Sequence, residues 1–438
     1  MTNGLRSPSE QESSPCLDRG DAAAVKMWGL QRRVTLDALM ACWGVGTWLG
    51  VNGLYLQLPL LVVALPERWT LPSYMVIAVQ LANVGILAYG ALRRLLRRVP
   101  EAPYVYALLG VGTAALFLNA GLYDRTVAVG GAERSVAFLA LTFFAALVGC
   151  TSSVLFYPYL RHFRSVYLAT YLVGEGLSGF LPSILALVQG ANGEPECRPT
   201  ADGPPEAEYP PPRFGTAAFL AALGALSAAS LASFTAIHKW RGFDSERVAP
   251  AAAAKDEEAT TERASLREPR WLAALGLMLA LNALNNGVLP SVQSYSCMPY
   301  GTRAYHLAVT LGAMANPAVC LCGVWLRPLP PRALGAVLAA ATLPLACILA
   351  TALLSPAPPL QHSAAGVALV VVSWVCVSAS VSYARMWVYG WARRGGARGM
   401  RAAGAATQLG SVVGSVTIFA LVNYTGLFVQ APACPASV

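Results

Sequence analysis

Apolar residues fall into eleven long blocks, at about 36–63, 72–92, 103–122, 136–157, 167–190, 214–237, 271–290, 305–326, 333–354, 364–389 and 402–422. Each reaches about the 20 residues that a helix needs to cross hydrocarbon. Between them lie short segments where Arg, Pro, Gly and acidic residues collect. The pattern predicts an all-α polytopic membrane protein of eleven transmembrane helices. Cation placement sets its direction. With the N-terminus inside, the inner connections hold 24 Lys and Arg and the outer ones 6. Positive loops stay cytoplasmic, so the C-terminus is expected outside. Residues 1–35 read as a disordered cytoplasmic tail with no signal-peptide core, which makes the first block a signal anchor. Residues 238–270 read as a disordered cytoplasmic linker, and 423–438 as an extracellular tail. Trp69, Trp240, Trp271, Trp325, Trp387 and Trp391 fall near block ends, as an interfacial belt should.

Composition agrees. The 438 residues are 56% hydrophobic and 12% charged, about half the charge of a soluble domain, which excludes a soluble enzyme. The net charge of +9 is cytoplasmic anchoring charge and gives no case for nucleic acid. The four His and ten Cys form no zinc-like spacing, and no cofactor is expected. Cys320 and Cys322 read as packing residues.

A repeat runs through the blocks. Asn52-Gly53 with Pro59 in the first recurs as Asn286-Gly287 with Pro290 in the seventh. Ala82-Asn83 recurs as Ala315-Asn316, and Glu175 stands where Gln408 stands later. The offsets are 234, 233 and 233 residues. Blocks one and seven both enter from the cytoplasm, so the halves, 36–237 and 271–422, are parallel, with six spans and five.

Polar side chains in hydrocarbon are costly unless they face protein or a wet cavity. Asn282, Asn285 and Asn286 share a helical face. Trp48 and Asn52 are four apart, Gln80 and Asn83 three. Tyr171, Glu175, Ser178 and Pro182 form a stripe, as do Gln408, Ser411 and Ser415. Any one of these can be interhelical glue; together they suit a cavity lined by amides and rings. Gly46–Gly50 and Gly410–Gly414 are close-packing pairs. Pro59, Pro182, Pro290 and Pro317 are either hinges or passive breaks. No Lys or Arg lies deep, so the expected cargo is uncharged, rich in donors and acceptors, with a flat face that stacks. Glu175 is either a proton site or a carboxylate satisfied by neighbouring hydroxyls. The chain has no HExxH, no paired intramembrane aspartates and no nucleophile elbow, which argues against an intramembrane enzyme. A carrier of nucleosides or another neutral aromatic solute, or a receptor without transport, are the rival readings.

The run Gly46-Thr-Trp48-Leu-Gly-Val-Asn52-Gly53-Leu-Tyr55-Leu-Gln57-Leu-Pro59 resembles the opening motif of the animal riboflavin transporters, solute carrier family 52. Leu65-Pro66-Glu67-Arg-Trp69-Thr-Leu71-Pro72-Ser73-Tyr74 continues the resemblance. So does Asn282-Ala-Leu-Asn285-Asn286-Gly287-Val-Leu-Pro290-Ser-Val-Gln293-Ser-Tyr295-Ser-Cys297-Met-Pro299-Tyr300-Gly301. Ala304-Tyr305-His306-Leu307-Ala308 and Ala315-Asn316-Pro317 follow, and the likeness covers nearly all of 36–425.

The resemblance implies a plasma-membrane carrier, similar to the nucleoside transporters and the major facilitators, taking up riboflavin (vitamin B2) without sodium; a monomer is expected. For some members it also implies use as a receptor by viral envelope proteins. Riboflavin is neutral, with a flat tricycle, a uracil-like edge and a polyhydroxyl chain. The candidate contacts are Trp48 and Tyr157 for stacking. Asn52, Asn83, Asn282, Asn285, Asn286 and Asn316 are the polar candidates, with Glu175, Gln57, Gln293 and Gln408 behind them. Gln57 stands where the family usually has Glu, and the acidic Glu175 resembles the pH-sensitive branch. A family cysteine between spans nine and ten is replaced by Ser355-Pro-Ala357-Pro, which leaves its expected partner Cys434 unmatched. Cys197 and Cys297, both expected outside, are candidates for a disulfide. Asn423-Tyr-Thr425 is a glycosylation sequon at the membrane edge.

Overall fold

The computed structural model describes residues 34–96, 99–160, 162–190, 196–200, 203–208, 210–247, 269–325, 329–392 and 396–430. The expected N-terminal tail before Val34, most of the linker and the tail beyond 430 lie outside the described residues.

The first span is three helices in series: α1 (Val34–Val45), α2 (Leu49–Leu56) and α3 (Leu58–Ala64). The chain bends by 53° between α1 and α2. Gly46 supplies no side chain there, and Thr47 Oγ1 donates to the Gly44 carbonyl at 2.7 Å, which offers that backbone oxygen an alternative to the helix ladder. Pro59, with no N–H, falls in the first turn of α3, where that loss is tolerated. The second span is also jointed, at Ala82-Asn83, between α4 (Leu71–Leu81) and α5 (Val84–Leu95). Next come α6 (Glu101–Leu122), α7 (Val136–Leu160), α8 (Ser165–Gln189) and α9 (Thr216–Lys239). The seventh span is α10 (Pro269–Ala283), a single π-helical turn at Leu284–Val288, and α11 (Leu289–Cys297). Then follow α12 (Thr302–Trp325), α13 (Pro331–Leu353), α14 (Ala364–Ala392) and α15 (Gly396–Tyr424).

Two antiparallel hairpins join helices: Val127–Val129 with Ala132–Arg134, and Glu196–Thr200 with Gly203–Glu208. The first turns on Gly130 and Gly131, at φ of +62° and +83°, the left-handed pair that a tight hairpin requires.

Among the described residues, nine helices are long and apolar enough to cross a bilayer, ten if the bent pair α1–α2 counts as one span. A count of eleven also needs α12, whose 24 residues include Arg303, His306 and Asn316. Leu87, Leu95, Leu343, Val372 and Val416 stand exposed on helix surfaces, as suits side chains that face lipid.

The linker expected from His238 starts later than the sequence suggested. Residues Arg241–Glu246 form a 3₁₀ turn whose Phe243 is buried. Glu246 binds Arg164 at 3.0 Å and accepts from the Tyr167 hydroxyl at 3.0 Å. One apolar anchor and one ion pair order a stretch whose composition alone reads as linker.

The halves repeat in their packing. Helix α1 lies along α8, and α10 along α15. Helix α6 packs on α7, and α13 on α14. Across the halves, α4 meets α15 and α12 meets α8. Helix α9, packed on α6 and α1, is the member with no counterpart. At the end where α4 begins and α15 finishes, one core is shared by both halves and holds Trp69, Leu71, Phe219, Tyr295, Tyr305 and Val422. At the other end each half has its own core. Trp43, Phe156, Tyr159, Tyr171 and Phe234 fill the first, and Trp271, Trp391 and Ala403 the second.

Glycines set the two within-half crossings. A methyl group on Gly174 would run into the Ala41 carbonyl, and one on Gly44 into that of Tyr171. In the second half, Gly410 abuts the Leu279 carbonyl, Gly414 that of Ala283, and Gly287 the Gly414 backbone. The pair Gly410–Gly414 therefore packs as the sequence leads one to expect.

Gly414→Ala should destabilise the protein by about 1–3 kcal/mol through overpacking. Gly404→Ala, on the same helix with open space at its Cβ position, should be neutral or slightly stabilising. Thermal unfolding of both variants in detergent checks the contrast.

Candidate functional site

The broken helices put polar groups on facing elements. In the first half, Asn52 follows the α1–α2 bend and its Nδ2 donates to Ser178 Oγ on α8 at 3.4 Å. The Ser178 hydroxyl donates in turn to the Glu175 carbonyl at 2.6 Å. Glu175 Oε2 accepts from the Tyr157 hydroxyl at 3.1 Å, and Trp48 is a second polar neighbour of the same carboxylate. The Tyr157 ring meets Tyr171 edge-on at 6.1 Å. The indole of Trp48 lies over Gly149, where a Cβ would sit 2.6 Å from the ring. Glycine is needed there because the indole occupies the space.

In the second half, three asparagines surround the π-helical turn. Such turns expose backbone and side chains at functional sites more often than chance. Asn282 is fully buried and donates to the Met278 carbonyl at 2.7 Å. Asn286 Nδ2 donates to Ser411 Oγ on α15 at 2.9 Å and to Asn282 Oδ1 at 3.3 Å. Asn285 Nδ2 donates to Asn286 Oδ1 at 2.8 Å. The Ser411 hydroxyl donates to the Thr407 carbonyl at 2.8 Å.

Other predicted residues stand apart. Gln57 is buried, and its Nε2 donates to Gln189 Oε1 at 2.7 Å; Gln189 Nε2 donates to the Phe214 carbonyl at 3.0 Å. This is a buried amide–amide contact between the α2–α3 joint and the end of α8. Asn83 sits at the α4–α5 joint and donates to its own turn at Gln80. Gln293 on α11 and Gln408 on α15 are half-buried, and Asn316 on α12 is exposed. Asn423 donates both amide protons, to Ser73 Oγ at 3.0 Å and to the Phe419 carbonyl at 2.9 Å. The sequon nitrogen thus ties α15 to α4 between the halves.

The disulfide expectation needs correction. Cys297 is a free thiol in the shared core, whereas Cys197 is disulfide-bonded to another cysteine. Helix α11 carries Cys297 inward among Ser296, Thr351 and Trp374, which the sequence reading placed in an outer loop.

Sequence reasoning missed Gln189, the last residue of α8, and Ser73, whose partner is 350 positions away. It also passed over Asn119, fully buried on α6, whose amide atoms have no hydrogen-bond partner among the described residues. The 233-residue offset offered one unused signal. Ser178 and Ser411 obey it as well as Asn52 and Asn286 do.

A family model described as solute carrier family 52, riboflavin transporter, matches residues 32–270 and 244–430. The chain belongs to this family. The human solute carrier family 52, riboflavin transporter, member 2, is 39% identical over 426 residues, covering 89% of this chain and 94% of its own. Riboflavin transporter 2 of Salmo salar is 35% identical over 449 residues, covering 91% and 98%. Among solved structures, a D-xylose–proton symporter superposes with a TM-score of 0.55 at 14% identity, covering 88% of this chain and 89% of that one. At that identity the likeness speaks for the fold alone.

Within this family-52 chain, the buried pair Gln57–Gln189 offers a direct measure of what a buried amide contact contributes. Gln57→Leu or Gln189→Leu alone should cost about 1–3 kcal/mol by stranding a buried amide, while the double variant should recover most of it. Unfolding midpoints of the four proteins check the coupling.

Proposed function

We propose that the chain carries riboflavin into the cell across the plasma membrane, without sodium, by alternating access between its two halves. Membership in the riboflavin transporter family over nearly the whole chain carries this reading. The site chemistry supports it. The clusters offer neutral amides, hydroxyls and aromatic rings, which suit a neutral tricycle with a uracil-like edge. The apolar blocks support eleven spans, and the cation placement supports an N-terminus in the cytoplasm and a C-terminus outside.

In that orientation the shared core and the Asn423–Ser73 bond close the outer side. The separate cores at the other end then lie toward the cytoplasm, which supports reading the described state as the one that releases cargo. Return to the outward-facing state has to break the contacts between α4 and α15, where Tyr74 and Phe419 meet edge-on at 5.2 Å. Few polar bonds hold this seam, so rocking costs little hydrogen bonding.

Glu175 is the proton-responsive group in this reading. Its carboxylate shares the first-half cluster with Asn52 through Ser178. Protonation removes a charge from the path of a neutral cargo, so uptake rises as pH falls. Labelled riboflavin uptake in cells expressing the chain, at about pH 5.5 and 7.5, is the test. Wild type should show saturable uptake, faster at the lower pH, and Glu175→Gln should flatten that dependence. No saturable uptake at either pH contradicts the cargo; an unchanged pH slope in the variant contradicts the role of Glu175.

A further inference from the structure

Hydrogen-bond accounting divides the asparagines into two groups. A carboxamide has two N–H donors and one carbonyl, and a serine hydroxyl has one proton. Ser178 and Ser411 each spend that proton on a backbone carbonyl of their own helix. Toward Asn52 and Asn286 they can then only accept. This fixes which edge of each amide faces the serine. The arrangement recurs in both halves, at offsets of 234 residues for the asparagines and 233 for the serines.

Asn286 is fully used. Both its protons are donated, and its carbonyl accepts from Asn285. Asn282 is buried, donates to Met278 and accepts from Asn286. Asn52 and Asn285 differ. Each makes one bond through Nδ2 and keeps one N–H and its carbonyl oxygen unused. Both side chains are half-exposed, and none of their unused atoms is among the buried polar atoms that lack a partner. Their unused carbonyl oxygens therefore reach accessible space, and the second N–H lies on the same carboxamide. Each offers a donor and an acceptor side by side on one planar group.

We propose that Asn52 and Asn285 are the amides that read the cargo, pairing with an imide edge in which a ring N–H is flanked by carbonyls, while Ser178, Ser411, Asn282 and Asn286 position them. The inference rests on the riboflavin reading and deepens it, since the tricycle carries such an edge at N3. One of the two carboxamides can accept from the ring N–H and give its free N–H to a ring carbonyl, as a bidentate pair, and the other then donates its free N–H to the second ring carbonyl. A site built for hydrogen bonds rejects an analogue that lacks them, because its own groups are left unpaired. Ser411 acts at one remove: it orients Asn286, which orients Asn285.

The experiment measures labelled riboflavin uptake by the full chain in cells, with surface amount measured by biotinylation. Unlabelled riboflavin and N3-methylriboflavin are the competitors. Wild type should prefer riboflavin by about tenfold or more, the value of one good hydrogen bond. Asn285→Ala and Asn52→Ala should each raise KM about tenfold and bring the preference toward one, with similar maximal uptake per surface molecule. Ser411→Ala should raise KM a few-fold in the same direction. Ser411→Thr, which keeps the hydroxyl, should restore it; a merely structural serine would not show this pattern.

Saturable wild-type uptake with equal competition by both compounds overturns the assignment and leaves the transport reading standing. So does an unchanged preference in Asn285→Ala. Absence of any saturable riboflavin uptake by wild type removes the transport reading and this assignment together. Should the asparagine variants fail to reach the surface, the wild-type competition ratio decides alone: a ratio near one refutes the assignment, and about tenfold supports it.

Discussion

A carboxamide inside a hydrocarbon slab can satisfy its N–H and C=O groups only with protein, trapped water or cargo. Everything distinctive about this chain follows from how it meets that constraint. The glycine contacts of α1 with α8, and of α10 with α15, bring the helix backbones close enough for a short serine to reach an asparagine on the neighbouring helix. Larger residues at Gly174 or Gly414 would push those helices apart and break the bonds. Packing and polar satisfaction are therefore one design repeated in two halves.

The helix breaks follow from the same demand. A regular helix consumes its own backbone groups and presents side chains on a fixed spiral. The bend at Gly46-Thr47-Trp48 and the π-helical turn at Leu284–Val288 release that spiral next to Asn52 and Asn286. Such interruptions are tolerated at membrane depth where neighbouring protein or a cavity covers them. One aromatic core is shared by the halves at one end, and each half has a core of its own at the other.

Much of this was legible in the sequence. Blocks of about 20 apolar residues mark the helices because a bilayer allows few other solutions. The repeat showed in Asn52 and Asn286 because both halves solve the same packing problem. What sequence could not supply was the partner of each polar group. Gln57 looks like a cavity residue until Gln189 is found 132 positions away. Asn423 reads as a sequon until Ser73 is found beside it. Cys297 reads as an outer-loop thiol until helix α11 turns it into the core. The ordered turn at Arg241–Glu246 was hidden for a similar reason, since its anchors, Arg164 and Tyr167, come from another helix. Composition and periodicity report what a residue needs; tertiary contacts report where it finds it.

The central claim is that two halves alternate around one site for a neutral aromatic cargo. Counterflow tests it most directly, with the purified chain in proteoliposomes and labelled riboflavin outside. Vesicles preloaded with unlabelled riboflavin should accumulate label transiently above equilibrium, because unlabelled cargo occupies the inward-facing site and keeps entering label from leaving. Equal, non-saturable entry into preloaded and empty vesicles would contradict the account.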